Sequence, residues 1–241
     1  MKKALFIALV LVAICTMPLY GQNPKSATTG TLNDHEWVDL GLPSGTLWAT
    51  CNVGANAPEE YGDYFAWGEI QMKDSYLWET YQYANGACNK LTKYCSNPDI
   101  GNDGFTDSLT ILLPEDDAAT ANWGKGWCTP TYEQWKELLD NTTNKWMTQD
   151  SVRGRLFIAE NGQTLFLPAA GGRSLSKVFS VNGSGGYWSR SLYSLYSINS
   201  LSPWCLIFYL DMFYNNEDNC YMEIGDRWCG CSVRPVTSSH E

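Results

Sequence analysis

The feature that most restricts the fold is how short the apolar runs are. In "GLPSGTLWATCNVGANAPEEYGDYFAWGE", residues 41–69, Gly, Pro, Asn or Asp interrupts the chain every few residues. An amphipathic helix needs about 10–12 uninterrupted positions to show its period, so this punctuation favours short strands and loops. One stretch escapes it. In "GWCTPTYEQWKELLDN", Thr131 can cap a helix and Gln134 can complete a capping box, with Tyr132, Trp135, Leu138 and Leu139 on one face. A weaker helix is expected within "DSYLWETYQYA". "GRLFIAENGQTLFLPAAGG" reads as two strands around a turn at Asn161-Gly162. The final "CSVRPV" reads as a closing strand, with Cys231 and Val233 on one side and Ser232 and Arg234 on the other. One or two helices among many short strands make an α+β chain.

The first 21 residues, "MKKALFIALVLVAICTMPLYG", carry two lysines, an apolar run from Ala4 to Ile14 and a small residue at the end. This is a secretory signal and too short for a spanning helix, with cleavage expected after Gly21. Lipid attachment at Cys15 is the alternative, disfavoured by the bulky Ile14 before it. A polar, flexible leader is expected over 22–33, followed by one domain over 34–238. Cleavage removes two of the 16 basic residues and none of the 26 acids, leaving a net charge of −12. Such a surface excludes nucleic acid and anionic membrane as natural partners. The chain is expected at the cell surface, in the periplasm or secreted; its oligomeric state is not legible.

Eight cysteines follow the signal: Cys51, Cys88, Cys95, Cys128, Cys205, Cys220, Cys229 and Cys231. In an exported chain an even count permits disulfides, and Cys88 and Cys95 would close a short local loop. A zinc site is not indicated, because no CxxC is present and His35 and His240 lie near the two ends of the mature chain. Cys229 and Cys231 lie two apart, so on a strand they share a face and do not bridge each other.

The blocks "HEWVDLGLPSGTLWATCNVGANAPEEYGDYFAWGE", "LPEDDAATANWGKGWCTPTYEQWKELL", "LFLPAAGGR", "GYWSRS" and "GCSVRPV" run in order from about His35 to Val236. Together they resemble the Fibrobacter succinogenes major paralogous domain family, typical of Bacteroidetes, exported and without a general assigned activity. The Pro-Thr-x-x-x-Trp helix and the Arg-Pro strand resemble those of formylglycine-generating enzymes and their C-type-lectin-like relatives, so the resemblance implies a C-type-lectin-like fold. Cys128, Cys229 and Cys231 depart from the family pattern. The implied fold puts the capped helix and closing strand in one core, which makes a Cys128–Cys231 bridge an expectation of the resemblance.

Between "GYWSRS" and the closing strand, Tyr, Trp, Asn, Ser and Asp mix without clean periodicity, the palette of antibody loops. In the implied fold this region forms an exposed face. The ligand-binding candidates are Tyr193, Tyr196, Trp204, Tyr209, Tyr214, Asn215, Asn216, Asp218, Tyr221, Glu223 and Trp228, while residues 205–210 read as a buried strand. Relatives with this fold include variable proteins of diversity-generating retroelements, so the segment 192–230 is a candidate for diversification.

A non-catalytic binding module for a glycan or protein is the expected function, since aromatic rings stack on sugar faces and amides or carboxylates take hydroxyls. No cofactor is expected. Calcium is the weak exception: Glu59-Glu60 and Asp116-Asp117 offer oxygen ligands, and "SNPD" at 96–99 loosely resembles a lectin triplet. A structural or adhesive role is the alternative. The enzyme resemblance would put Cys229 and Cys231, or Cys220 and Cys229, in a copper-holding pair, yet neither pair matches residue by residue, and no central histidine is present to act as a base.

Overall fold

The computed structural model describes residues 28–193, 202–210 and 219–238. The chain is α+β, with two helices and short antiparallel strands in small sheets. The first sheet has the order β1 (Thr29–Leu32), β2 (His35–Asp39), β3 (Thr46–Ala49) and β12 (Val236–Ser238), so the two ends of the described chain meet in it. Strand β1 corrects the expected leader: Thr29–Leu32 pairs with Val38–His35 across a tight turn at Asn33 and Asp34. Both turn residues take positive φ, 48° and 64°, a conformation Asn and Asp tolerate and one that matches strand twist.

Helix α1 spans Ala118–Trp123 and α2 spans Tyr132–Asn141. The capping box expected at α2 is formed, Thr131 Oγ1 accepting from Gln134 N and Gln134 Oε1 from Thr131 N. Trp135 and Leu138 are buried, Leu139 half-buried. The weaker helix does not form. Only a single 3-10 turn, Trp78–Thr80, appears there, because Tyr76 and Tyr81 are drawn inward to donate to the carbonyls of Tyr64 and Trp67.

A second sheet joins β4 (Thr142–Gln149), β5 (Val152–Ala159) and β6 (Thr164–Pro168). The expected hairpin is β5–β6, closed at Asn161-Gly162 with Gly162 at φ 84°. A small ribbon pairs β7 (Gly172–Ser174) with β8 (Lys177–Phe179). The third sheet has the order β11 (Cys220–Ile224), β10 (Pro203–Tyr209), β9 (Ser184–Leu192), and the closing segment joins it where Ser232 bridges Tyr187.

Strand β9 stands between two cores. Because successive side chains alternate, Tyr187 enters the cluster around α2 with Trp48, Leu206 and Phe208, while Trp188 enters the other with Phe65, Trp67 and Tyr94. Cys231 and Val233 pack on this second cluster, the shared side expected for them. Each buried Trp would cost about 3–5 kcal/mol if truncated to Ala. Arg234 of the Arg-Pro pair is fully buried; its Nε donates to Asn52 Oδ1 at 2.9 Å and its Nη1 to Ala49 O at 3.1 Å. Among the described residues no helix is long and apolar enough to cross a membrane.

Candidate functional site

The β10–β11 hairpin carries most of the described candidates, and its register sorts them. Strand β10 is a mostly buried run, Cys205, Leu206 and Phe208 lying inside, in line with the core strand expected over 205–210. Its neighbour β11 is the sheet edge and alternates. Cys220 and Met222 pack on the α2 core, whereas Tyr221 is 39% exposed and Glu223 is exposed. The pairs Ile207↔Tyr221 and Cys205↔Glu223 place Tyr221 and Glu223 on one face with Tyr209. The Tyr209 and Tyr221 rings meet edge to face at 6.4 Å. A hydrogen bond to Tyr209, then partial burial and the Glu223 charge, raise the Tyr221 phenol above its ordinary value.

Trp204 points the other way. It lies against Tyr132 of α2 at 4.4 Å and meets Tyr193 at 4.9 Å in a perpendicular arrangement. The three rings form a half-buried aromatic cluster at the mouth of the hairpin, where the β9–β10 register shifts between Pro203 and Cys205. Tyr132 was read from the sequence only as a core-facing helix residue; its i+3 and i+6 neighbours, Trp135 and Leu138, gave no sign that its ring supports Trp204. The structure therefore divides the described candidates into two groups on opposite faces of one hairpin. Trp228 joins neither and packs half-buried against the core that holds Trp188. Tyr196, Tyr214, Asn215, Asn216 and Asp218 lie outside the described residues, as do Cys15 and His240.

The acidic pairs are committed elsewhere. Asp116 accepts from Tyr83 Oη at 2.6 Å, from Lys93 Nζ at 2.5 Å and from Tyr94 Oη. Burial pushes its carboxyl up, but those donors together hold it below the usual carboxylate value. Asp117 caps α1 through Ala119 N and Thr120 N and accepts from Thr129 N and Oγ1. Glu60 accepts from Asn56 N, and Glu59 from Gln149. Both Asp116 oxygens and Asp117 thus serve protein donors, whereas Glu59 and Glu60 each engage one oxygen.

Neither expected disulfide forms. Cys88 is exposed while Cys95 is buried, its thiol donating to Asn97 O at 3.2 Å. Cys231 faces Cys205, two strands away across Gly186, instead of Cys128, whose backbone pairs with Val236. His35 stacks flat on Trp123 at 3.8 Å, and burial lowers its pKa. No protein family, curated protein or solved structure matches this chain.

Proposed function

We propose that the chain is an exported, non-catalytic binding protein of C-type-lectin-like architecture that presents the edge strand β11, with Tyr209 beside it, to a glycan or protein ligand. The observation that carries this reading is the edge strand β11: it sends Cys220 and Met222 into a packed core and leaves Tyr221 and Glu223 outside beside Tyr209. A ring with a polar handle and a carboxylate, fixed on a strand that is buried on its other side, is a pre-organised contact surface. The lectin-like part of the proposal is supported by the way the signature residues converge. Trp135 of the capped helix donates its indole N–H to Trp188 O at 3.1 Å, and Arg234 of the closing segment ties into the 49–52 turn.

The test is a glycan array and a cell-surface crosslinking screen with the purified protein, run beside Tyr221→Ala and Glu223→Ala. Both positions are exposed, so the variants keep the fold. Each is expected to weaken ligand binding about tenfold, the size of a modest interface anchor. Unchanged affinity in both would show that the surface is misplaced. Crosslinks at β11 to a protein, with no glycan bound, would assign the adhesive role instead. A reverse-transcriptase gene with a template copy beside this gene would support diversification of residues 192–230.

A further inference from the structure

A second polar concavity lies away from the hairpin, between the 68–73 turn and the segment 80–83, with a volume of about 440 Å³. Gly68 makes the turn possible: it sits at φ 80°, and a Cβ there would come within 3.0 Å of the Tyr83 ring. The turn delivers Glu69 to the floor of the cleft, where the residue is only 7% exposed. Both contacts of this buried carboxylate fall on one oxygen: Glu69 Oε1 accepts from Lys73 Nζ at 2.8 Å and from Gln82 N at 2.7 Å. Among the described residues Oε2 takes no donor, and it is the part of the carboxylate left for the cleft. Oε2 can take a hydrogen bond from water or from a guest hydroxyl that displaces it.

The remaining lining defines the donor. Tyr83 lines the cleft, but it is only 7% exposed, with Lys93 Nζ over its ring and its hydroxyl held by Asp116, so it bounds the space and offers no open face. Met72 adds an apolar rim, and Gln71 and Glu115 are exposed polar groups at the mouth. Lys73 is spent on Glu69 and on Thr80 O at 2.9 Å, and lies over the Tyr76 and Tyr81 rings. Two carboxylates against one committed ammonium leave the cleft negative. An anionic guest is repelled, and a guest rich in hydroxyl donors with an apolar face is matched on both counts. The volume lies at the small end of the range for ligand sites, about 300–1,000 Å³, which suits one or two sugar rings.

We propose that this cleft is a binding subsite for an uncharged saccharide unit, with Glu69 Oε2 and Gln71 taking hydroxyls and the exposed Met72 side chain meeting the apolar face of the ring. It is separate from the β10–β11 surface and stands or falls without it. The experiment is saturation-transfer NMR and titration calorimetry with free neutral hexoses, their disaccharides, the corresponding uronates and a protonated amino sugar. Millimolar binding of a neutral sugar is expected, with the uronate at least tenfold weaker. Glu69→Gln keeps an oxygen for Lys73 and Gln82 N but turns the cleft-facing acceptor into a donor, and is expected to weaken binding at least tenfold at unchanged melting temperature. Gln71→Ala, on the rim with no hydrogen-bond partner among the described residues, is expected to lose about threefold. Tyr221→Ala is expected to leave this binding unchanged. The proposal is overturned if no neutral sugar binds, if the uronate or the amino sugar binds best, if both cleft variants bind like the parent, or if Tyr221→Ala abolishes the signal.

Discussion

At the scale of single residues, the thiols are the side chains whose chemistry the fold changes most. Burial pushes the Cys229 thiol up to about 12, with the charges of Cys231 and Asp226 adding to it. Burial likewise takes Cys220 up to about 11, against the pull of Arg155. Cys231 is raised by its hydrogen bond to Cys205 and by burial; the two sulfurs approach over Gly186, where an added Cβ would lie 3.3 Å from one and 3.8 Å from the other. Reactivity follows the thiolate, so each unit of upward shift costs about a factor of ten at pH 8. In the reduced, native protein, iodoacetamide should label the exposed Cys88 first, with Cys220 and Cys229 roughly a hundred to a thousand times slower than a free thiol. Peptide mapping over a time course checks this, and labelling of Cys229 at the rate of Cys88 would refute the placement.

At the scale of elements, what could be read in advance was what is local. Thr131 and Gln134 state the start of α2 within four residues, and Asn161-Gly162 states the β5–β6 turn within two, so both were legible. Helix α1 was not. Its six residues are too few for a period, and its cap draws on partners far along the chain: Thr129, twelve residues on, and Arg190, whose Nε lies 4.0 Å from Asp117 Oδ2. The "DSYLWETYQYA" stretch failed for the same reason, since aromatic burial outweighed a helical propensity worth only tenths of a kcal/mol per residue. The candidate surface divided in the same way. The alternation of β11 spans only the five residues of "CYMEI" and was not separable from a stretch without clean periodicity, and which face of β10 lay under it depended on pairing with β9. Asp117 gives the element-scale prediction. Asp117→Ala leaves four buried donors short of an acceptor and should cost about 3–4 kcal/mol. Asp117→Asn keeps the oxygen that serves most of them and should cost less than half as much. Chemical denaturation of the two variants decides the order, and equal losses would mean that the charge toward Arg190 matters more than the cap.

At the scale of the whole molecule, the long excursion from residue 64 to residue 94 is tied to the body by tyrosine hydroxyls. Tyr64 donates to Ala170 O at 2.7 Å and Tyr83 and Tyr94 donate to the Asp116 carboxylate; Tyr81 closes the excursion on itself at Trp67 O, 2.8 Å, and within the body Tyr187 of the central strand donates to Pro168 O at 2.8 Å. No window of sequence reveals this, because each ring looks like one more core aromatic. Burial raises the phenols of Tyr64 and Tyr187 from 10.0 to about 12, and raises those of Tyr81, Tyr83 and Tyr94 further. A raised folded pKa favours the protonated form in the fold. The stability it contributes is therefore complete below the unfolded value near 10 and is lost as pH climbs from there through the folded values. A shift of that size is worth about 2–3 kcal/mol for the fully buried Tyr187 and less for Tyr64, which solvent partly screens, so the two together take up a sizeable part of a domain's usual margin of about 5–15 kcal/mol. The protein should keep its near-ultraviolet dichroism up to about pH 10 and then unfold in one step before pH 12, with the buried tyrosines ionising in that same step. Absorbance at 295 nm followed alongside dichroism checks it. Smooth ionisation of all tyrosines near pH 10 with the dichroism unchanged would show that these hydroxyls are not holding the excursion in place.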